Sequence, residues 1–361
     1  MTPKRGAPVC VAMSGGVDSA VVAYLLKKRG YDVVGITMQI WQESQRDPRH
    51  AGCCSLGAVE DARRSARMLD IPHYVINFKD QFKQTVIDEF VREYAAGRTP
   101  NPCVTCNKKV KFEAMLQKSQ ELGCEALATG HYARLRRDPK TGLMRLMRAR
   151  GIAKDQSYVL YGFTQAQMEG CYFPLGEMPD KAETRRLARE AGLPVADKPD
   201  SQEICFVSEA GGYREFLRKS RPDMFEEGEL ITVGGERLGT HQGVADFTVG
   251  QRRGLGVAKG KPLYVIEIQP DQNRVVVGTD EDLKLTHVRV PAWHWTSVAP
   301  TNEPLRVQAK IRYNMAPQPA TLRVEDGTAT LTFDQPVRAV TPGQIAVAYR
   351  GETVIGGGNI E

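Results

Sequence analysis

The first 130 residues alternate short apolar runs with amphipathic stretches. The apolar runs predict strands at 9–13, 33–38, 74–77 and 126–129. Apolar residues three or four positions apart predict helices with one buried face at 17–29, 58–69, 81–94 and 111–122. Because strands and helices that alternate in this way usually build a parallel sheet, we expect an α/β domain with a doubly wound parallel sheet.

The pattern changes after residue 129. Two short strands around the turn sequence DPKTG predict a hairpin, at 135–137 and 143–148, and helical spacing returns at 181–191 and 213–219. From residue 228 onward, glycine-containing turns separate short predicted strands. Alternating runs at 306–312, 320–324, 328–333 and 345–349 indicate a compact β-barrel. A chain of 361 residues can hold three domains, which we expect at 1–209, 210–283 (β-rich) and 284–361 (β-barrel).

Composition and charge narrow the class of protein. With 41% hydrophobic and 25% charged residues, the chain is typical of globular proteins and unlike disordered or fibrous ones. The 49 basic and 43 acidic side chains give a net charge of +6, which indicates a mild preference for anionic partners. No apolar run has the length of a signal peptide or a membrane span, so we expect a cytoplasmic protein with no membrane partner. In that reducing compartment, the eight cysteines should be reduced, metal-bound or catalytic.

The sequence Ser-Gly-Gly-Val-Asp-Ser at 14–19, here called the glycine loop, follows the first predicted strand and begins the first predicted helix. Its two glycines allow a tight turn, and backbone amides at a helix N-terminus attract an anion such as phosphate. Asp18 would repel a bare phosphate, so we expect Mg²⁺ to neutralise it. The loop matches neither GxxxxGK[ST] nor GxGxxG. The alternative is a turn that merely begins a helix.

Three cysteines lie in two polar motifs. Cys103 and Cys106 lie in RTPNPCVTCNKKVKF, which we interpret as a loop limited by two prolines and followed by the basic start of a helix. Cys205 lies much later in the chain, in DSQEICF. The lysines of the first motif would favour thiolates, the nucleophilic and metal-binding form of cysteine. One CxxC pair supplies only two of the four ligands of a typical zinc site, so the pair could also be incidental.

In combination, these motifs resemble those of the tRNA 2-thiouridylases of the MnmA type, within the PP-loop ATP pyrophosphatase superfamily. The glycine loop is similar to the superfamily's ATP loop, and the other motifs extend the resemblance over nearly the whole chain. They are CCS (53–55), NPCVTCN (101–107), GHYAR (130–134), KDQSY (154–158), DSQEICF (200–206), FTVGQRRGLG (247–256), RY (312–313) and PGQ (342–344). The resemblance implies a PP-loop domain, a small β-rich linker domain and a C-terminal β-barrel that contacts tRNA.

The resemblance also implies a reaction, the ATP-dependent replacement of the C2 oxygen of the wobble uridine by sulfur. ATP would adenylate this oxygen, and a sulfur nucleophile would displace AMP from a base flipped out of the anticodon loop. Cys106 would be the nucleophile, and Cys205 would carry a persulfide. The implied ATP-binding residues are Ala12, Met13, Ser14, Gly15, Gly16, Val17, Asp18, Ser19, Met38 and Gly130. Asn101, Pro102 and Cys103 would contact the target base, and His131, Lys154, Asp155, Gln156, Arg312, Tyr313 and Gln344 the rest of the tRNA.

Two routes for the sulfur fit the sequence. Many members of the family have Asp at the position of Cys103, and two cysteines then suffice for a relay that leaves a disulfide between Cys106 and Cys205. With Cys103 present, three thiolates could instead hold a [4Fe-4S] cluster with one open iron. The implied cofactors are ATP and Mg²⁺, with the cluster as an alternative. The implied partners are tRNA and either a sulfur-donor protein (a cysteine desulfurase or a relay protein) or sulfide, and we expect a monomer.

Two basic surfaces are candidates for binding tRNA. The region 134–154 has eight basic residues and one acidic residue, and the strand predicted at 306–312 places Arg306, Gln308, Lys310 and Arg312 on one face. Two other functions fit part of the sequence. A PP-loop ligase or amidotransferase acting on a small molecule would explain the glycine loop, and a nonenzymatic RNA-binding metal-thiolate protein would explain the cysteines.

Overall fold

A computed structural model describes residues 3–40, 56–200, 204–207, 211–257 and 260–361. In chain order the strands are β1 (Pro8–Ala12), β2 (Asp32–Gln39), β3 (His73–Asn77), β4 (Ala126–Ala128), β5 (Ala133–Arg137), β6 (Met144–Arg148), β7 (Cys171–Tyr172), β8 (Gly228–Thr232), β9 (Arg237–His241), β10 (Tyr264–Gln269), β11 (Arg274–Gly278), β12 (Lys284–Val290), β13 (His294–Trp295), β14 (Leu305–Lys310), β15 (Gln318–Glu325), β16 (Thr328–Arg338), β17 (Ile345–Arg350) and β18 (Thr353–Asn359). The α-helices are α1 (Val17–Lys28), α2 (Leu56–Met68), α3 (Lys79–Phe82), α4 (Asp88–Ala95), α5 (Pro102–Thr105), α6 (Met115–Glu121), α7 (Gln165–Glu169), α8 (Lys181–Glu190) and α9 (Tyr213–Ser220). Two π-helical segments, Lys83–Ile87 and Cys106–Ala114, join α3 to α4 and α5 to α6.

A five-stranded parallel sheet forms the centre of the first domain, in the order β3–β2–β1–β4–β7. The four strands predicted from apolar runs are all present in it, and their ends differ by at most one residue from the prediction. The doubly wound α/β prediction is therefore confirmed. Because β2 and β4 lie on opposite sides of β1, the strand order reverses at β1, and the carboxyl end of β1 is the place where such sheets form a ligand crevice.

The helix predicted at 111–122 begins earlier than expected, at Pro102. The expectation that Cys103 and Cys106 lie in a loop is therefore wrong, because both are helical. Pro102 suits the first position of a helix, where its missing N–H would have no partner and its fixed φ is already helical. The two cysteines are three positions apart on this helix and so share one face.

The predicted hairpin forms from β5 and β6, with Leu135 opposite Leu146. It does not stay within the first domain, because β6 pairs with β18 and joins the nine-stranded sheet of the C-terminal region. The strand predicted at 306–312 ends at Lys310, since the chain turns at Arg312, whose carbonyl accepts from the N–H of Met315 over 3.3 Å. The first domain and the C-terminal barrel thus share a continuous sheet.

The middle domain is a four-stranded sheet in the order β10–β11–β8–β9. Its small core contains the buried side chains of Leu230, Val265, Val275 and Val277. The barrel has a separate core, which includes the buried Leu322, Leu331 and Phe333. Among the helices that the structure describes, none is long and apolar enough to cross a bilayer.

Candidate active site

The glycine loop is closed by its own hydrogen bonds. The backbone N–H of Ser14 donates to the hydroxyl of Ser19 over 3.1 Å, and that hydroxyl donates to the carbonyl of Gly16 over 3.2 Å. Helix α1 begins directly after Gly16, at the carboxyl end of β1. A phosphate placed here would meet backbone donors and the positive end of the helix dipole.

Gly15 lets helix α2 pack directly on the glycine loop. Its φ is +69°, and a Cβ at this position would lie 2.0 Å from the carbonyl oxygen of Ala58. The Nζ of Lys198 donates to the carbonyl of Gly15 over 3.1 Å and to Asp61 of α2 over 2.6 Å. Both the backbone conformation and the close contact therefore require glycine at this position.

Asp18 is paired with a lysine that sequence reasoning missed. The Nζ of Lys181, the first residue of α8, lies 2.6 Å and 2.7 Å from the two carboxylate oxygens of Asp18. The hydroxyl of Tyr132 donates to the same carboxylate over 2.8 Å. The Lys181 side chain is 13% exposed and that of Asp18 32%, so water screens this pair only in part. Lys181 thus supplies a counter-charge that the sequence analysis attributed to Mg²⁺ alone.

Lys181 extends the charge network away from the glycine loop. Its Nζ lies 2.9 Å from Asp200, which also accepts from Lys154 over 3.0 Å and from Arg185 over 3.1 Å. Burial raises the pKa of Asp200, but the hydrogen bonds from Lys181 and Lys154 together with their charges outweigh it and lower the pKa below its ordinary value. Lys154, which the resemblance assigns to tRNA, therefore also has an internal partner. Lys181 places a cation at the positive end of a helix dipole, which is electrostatically unfavourable. This unfavourable position is the sequence feature that could have indicated an anionic partner for Lys181.

One cavity of about 240 Å³ brings the glycine loop and the three cysteines together. Its walls include these expected ATP-binding residues: Ala12, Met13, Ser14, Asp18, Ser19, Met38 and Gly130. They also include Pro102, Cys103, Cys106, His131, Gln156 and Cys205. Gly130 allows the chain after β4 to pack closely on the glycine loop, because a Cβ there would lie 2.8 Å from the Cβ of Asp18. A nucleotide held by the loop would therefore face the sulfur atoms in the same cavity.

The three cysteines differ in exposure: Cys106 is buried, Cys205 is half-buried and Cys103 is exposed. The neighbour of Cys205, Phe206, packs edge-to-face on the rings of Phe82 and Phe90, with centroids 5.8 Å and 5.2 Å apart. Across the described residues, no group of three or more His, Cys, Asp or Glu side chains is arranged to hold a metal ion. The CCS motif at 53–55 and residues 201–203 of DSQEICF lie outside the described residues.

His131 lies in an aromatic wall of the cavity. Its Nδ1 is 2.8 Å from the hydroxyl of Thr129, and its ring centroid is 5.4 Å from that of Phe112 and 5.9 Å from that of Phe173. Burial, with a smaller contribution from the charge of Lys111, holds the pKa of His131 well below its ordinary value. The ring is therefore neutral at physiological pH and presents a hydrogen-bonding edge without a charge.

The segment 97–106, here called the cysteine loop, consists of a loop at 97–101 and the first helical turn, which carries Cys103 and Cys106. Both of the other domains hold it. A Cβ at Gly97 would lie 3.1 Å from side-chain atoms of Ile268 and Pro270, at the end of β10 in the middle domain. The N–H of Thr99 donates to the carbonyl of Pro342 in the barrel over 2.8 Å. In return, the side-chain amide of Gln344 donates to the carbonyl of Thr99 over 2.8 Å. Gln344, which the resemblance assigns to tRNA, thus positions the cysteine loop in this structure.

The barrel also approaches Cys103, through Tyr313. Tyr313 is 39% exposed, and its hydroxyl donates to the carbonyl of Asp155 over 3.3 Å. Burial raises the pKa of Tyr313 above its ordinary value, as do the nearby charges of Asp155 and Cys103. Arg312 donates to the carbonyl of Ala339 over 2.8 Å. Tyr313 therefore lies near Cys103, whereas Arg312, its neighbour in the same turn, is bound within the barrel.

The basic hairpin is less cationic than its sequence indicates, because its own Asp138 and acidic residues from elsewhere in the fold pair with its arginines. The ion pairs are Arg134–Glu352, Arg136–Glu177, Arg137–Glu169, Arg145–Asp138 and Arg150–Glu177. On the second expected surface, Arg306 is held by Asp334 over 2.7 Å. Counting charges along the sequence overestimated the positive charge of both surfaces.

Three family models match successive parts of the chain. They are described as a tRNA methyl transferase HUP domain at 7–209, a tRNA methyl transferase PRC-barrel domain at 214–279 and an aminomethyltransferase beta-barrel domain at 285–360. The parallel sheet and the small middle sheet fall within the first two of these ranges. The third range contains the C-terminal sheet except for β5, β6 and the first residue of β12.

Curated relatives match over almost the full chain. A tRNA-specific 2-thiouridylase MnmA from Heliobacterium modesticaldum is 50% identical, with 98% of this chain and 92% of that protein covered. The protein of the same name from Clostridioides difficile is 47% identical, and the match covers 98% of this chain and 98% of that protein. Another from Clostridium perfringens is 46% identical, with 100% of this chain and 99% of that protein covered. The chain therefore belongs to the tRNA-specific 2-thiouridylase MnmA family.

Proposed function

We propose that this protein uses ATP to replace the C2 oxygen of the wobble uridine of tRNA by sulfur. The observation that supports this most strongly is the single cavity lined by the glycine loop and by Cys103, Cys106 and Cys205. The oxygen at C2 is a poor leaving group, so it needs activation before sulfur can replace it. A site that activates an oxygen and then delivers sulfur needs a nucleotide and a thiol within reach of one base, as in this cavity.

Adenylation is the first step. The C2 oxygen attacks the α-phosphorus of ATP, a bond to that oxygen forms, and pyrophosphate leaves. The glycine loop and the N-terminus of α1 hold the phosphates, and Lys181 keeps the charge of Asp18 from opposing them. Mg²⁺ would add charge neutralisation at the phosphates. A single carboxylate such as Asp18 suits it, because Mg²⁺ on ATP commonly uses one or two carboxylates and the phosphates as ligands.

Sulfur transfer follows. The terminal sulfur of a persulfide on Cys205 attacks C2, and AMP leaves with the former C2 oxygen. The thiolate of Cys106 then attacks the Sγ of Cys205, which releases the sulfur on the base and leaves a Cys106–Cys205 disulfide. A thiol reductant must return both cysteines to the reduced form. On this route the sulfur comes from a persulfide on a donor protein, a cysteine desulfurase or a relay protein. Sulfide belongs to the cluster route, because converting it into a persulfide would need an oxidant.

The alternative route through a [4Fe-4S] cluster has less support. The three cysteines are all described, and they do not form a metal-binding group in this arrangement. Anaerobic purification followed by iron and sulfide analysis separates the two routes. A cluster-free protein with full activity supports the persulfide relay, and stoichiometric iron with activity that depends on it would contradict the relay.

We propose a division of labour among the domains. Residues 1–209 adenylate and thiolate the uridine, residues 210–283 link the other two domains, and residues 284–361 contact tRNA. Asn101, Pro102 and Cys103 are proposed to contact the target base, and His131, Asp155, Gln156, Arg312 and Tyr313 other parts of the tRNA. Because its substrate is tRNA, we propose that the enzyme acts in the cytoplasm. We also propose that it acts as a monomer.

The decisive experiment measures 2-thiouridine by mass spectrometry after incubation of purified protein with ATP, a persulfide donor and tRNA. We expect wild-type protein to form it and Cys106→Ser and Cys205→Ser to form none, while both variants still bind tRNA. Cys124→Ala, a change at a buried cysteine that does not line the cavity, is the matched control and should stay active. Retained thiolation in both serine variants would refute the assigned roles. ATP–pyrophosphate exchange that depends on a small molecule and not on tRNA would support the ligase alternative instead.

A further inference from the structure

A second cleft lies between the helix that runs from α3 to α4 and helix α9, where the first domain meets the middle domain. Its volume is about 630 Å³. Cations line it from both sides: Lys83 and Arg92 from the first helix, and Lys219 and Arg221 from α9 and the residue after it. Phe216 and Val91 contribute apolar surface. The cleft has no signature in the sequence, because its two walls are more than a hundred residues apart in the chain.

The charge of this cleft is mostly uncompensated. Within the part of the chain that the structure describes, no carboxylate lies within ion-pair distance of Lys83, Arg92 or Lys219, and all three are exposed. Arg221 is bound to Asp223, with its shortest contact at 2.6 Å. The only acidic residue of the lining is Asp88. The cleft therefore differs from the hairpin at 134–154, whose arginines are largely neutralised.

The cleft is separated from the active-site cavity by the thickness of one helix. Phe82 and Val86 face the cavity, whereas the neighbouring Lys83 and Ile87 line the cleft. A helix is about 10 Å across, which is small compared with a tRNA. Phe216 also packs on Phe206, with ring centroids 5.2 Å apart, and so links the cleft to the segment that carries Cys205.

We propose that this cleft binds the phosphate backbone of the tRNA whose target base lies in the cavity. Three exposed cations without carboxylate partners form a site for a polyanion, and each phosphate contact would release counterions from the RNA. Aliphatic stems of lysine and arginine can lie along the apolar floor while their charged ends reach phosphates. The inference rests on the proposed function for the identity of the polyanion.

The test is the salt dependence of tRNA binding by the double variant Lys83→Gln/Lys219→Gln. Loss of two phosphate contacts should reduce the slope of log K against log salt by roughly 1.4 to 1.8. Pyrophosphate exchange at saturating tRNA should not change, since neither residue lines the cavity. The matched control is Lys4→Gln/Arg5→Gln. These exposed cations precede β1 and so lie at the edge of the sheet opposite the active site, and their removal should leave the slope unchanged.

An unchanged slope in the Lys83→Gln/Lys219→Gln variant would overturn the proposal, provided that its thermal unfolding matches that of wild type. An unchanged slope with slower sulfur uptake from a donor protein would overturn it too, and would assign the cleft to that protein. Failure of the proposed function would look different: wild-type protein would make no 2-thiouridine, whatever the slope of the variant.

Discussion

The glycine loop and the cysteine loop line the same cavity, but they are stabilised in different ways. The glycine loop is held entirely within the first domain, by Ser19, by the backbone of Ala58 and by Lys181 through Asp18. The cysteine loop is held from outside, by the middle domain at Gly97 and by the barrel at Thr99. With the proposed function, this comparison predicts that adenylation depends on the first domain, whereas correct placement of the cysteines depends on all three domains.

The largest effect should follow from removing the counter-charge of Asp18. In Lys181→Met, Asp18 keeps Tyr132 as a partner but loses its cation, so ATP–pyrophosphate exchange should fall on the order of a hundredfold. Lys181→Arg should recover part of the exchange. The control is Lys28→Met, which breaks an exposed pair with Glu190 and should have no effect. Unchanged exchange in Lys181→Met would remove the lysine from the adenylation site.

The packing of the glycine loop can be tested by protein stability. Gly15→Ala introduces both a positive-φ alanine and a contact with the carbonyl of Ala58, so the free energy of unfolding should fall by about 2–4 kcal/mol. Gly6→Ala has a similar φ of +81° but no atom within 4 Å of the new Cβ, so its loss should be only about 1 kcal/mol. Chemical denaturation measures both values. Equal losses in the two variants would show that the close contact with α2 does not matter.

A substitution of Gln344, with a smaller expected effect, tests whether this side chain positions the cysteine loop or contacts tRNA. Gln344→Ala removes the hydrogen bond to Thr99, a loss of about 0.5–1.5 kcal/mol, so the thiolation rate should fall by at most about tenfold. The Kd for tRNA and ATP–pyrophosphate exchange should not change. Gln318→Ala, which removes a side-chain amide contact to the carbonyl of Ala316 within the barrel, is the control. A weaker Kd with an unchanged rate would show that Gln344 binds tRNA, as the resemblance implies.

The smallest effect is the pH dependence of stability from His131. Its pKa is lowered in the folded protein, so below about pH 6.5 the unfolded chain takes up a proton that the folded state excludes. The contribution of His131 is therefore complete above that pH and is lost as pH falls towards the folded pKa, at no more than about 1.4 kcal/mol per pH unit. His131→Gln should have a shallower loss between pH 7 and 5.5 in denaturant titrations. An identical pH dependence would show that the buried ring does not exclude the proton.

Local patterns predicted much of the first domain. The strands, helix α1, the turn at 14–19 and the hairpin follow from the spacing of apolar residues and from glycine positions, which are properties of neighbouring residues. The start of the helix at Pro102 was missed because proline and two cysteines resemble a loop in composition. The general lesson is that composition identifies breaks in secondary structure less reliably than the position of a proline within the first helical turn.

The long-range partners could not be predicted in the same way. Lys181 is 163 residues from Asp18, and Gln344 is 245 residues from Thr99. No periodicity relates such positions, because their contact depends on how whole domains pack. For the same reason, the neutralisation of the hairpin arginines by Glu177, Glu169 and Glu352 was invisible in a count of charges along the chain.

The central claim is that adenylation and sulfur transfer take place in one cavity of one molecule. The most direct test mixes Lys181→Met, deficient in adenylation, with Cys205→Ser, deficient in sulfur delivery, and measures 2-thiouridine in tRNA by mass spectrometry. If both steps share a cavity, the mixture should form no more product than the two variants do separately. Recovery of thiolation towards the wild-type level would contradict the claim, because an activated tRNA would then have received its sulfur from a different molecule.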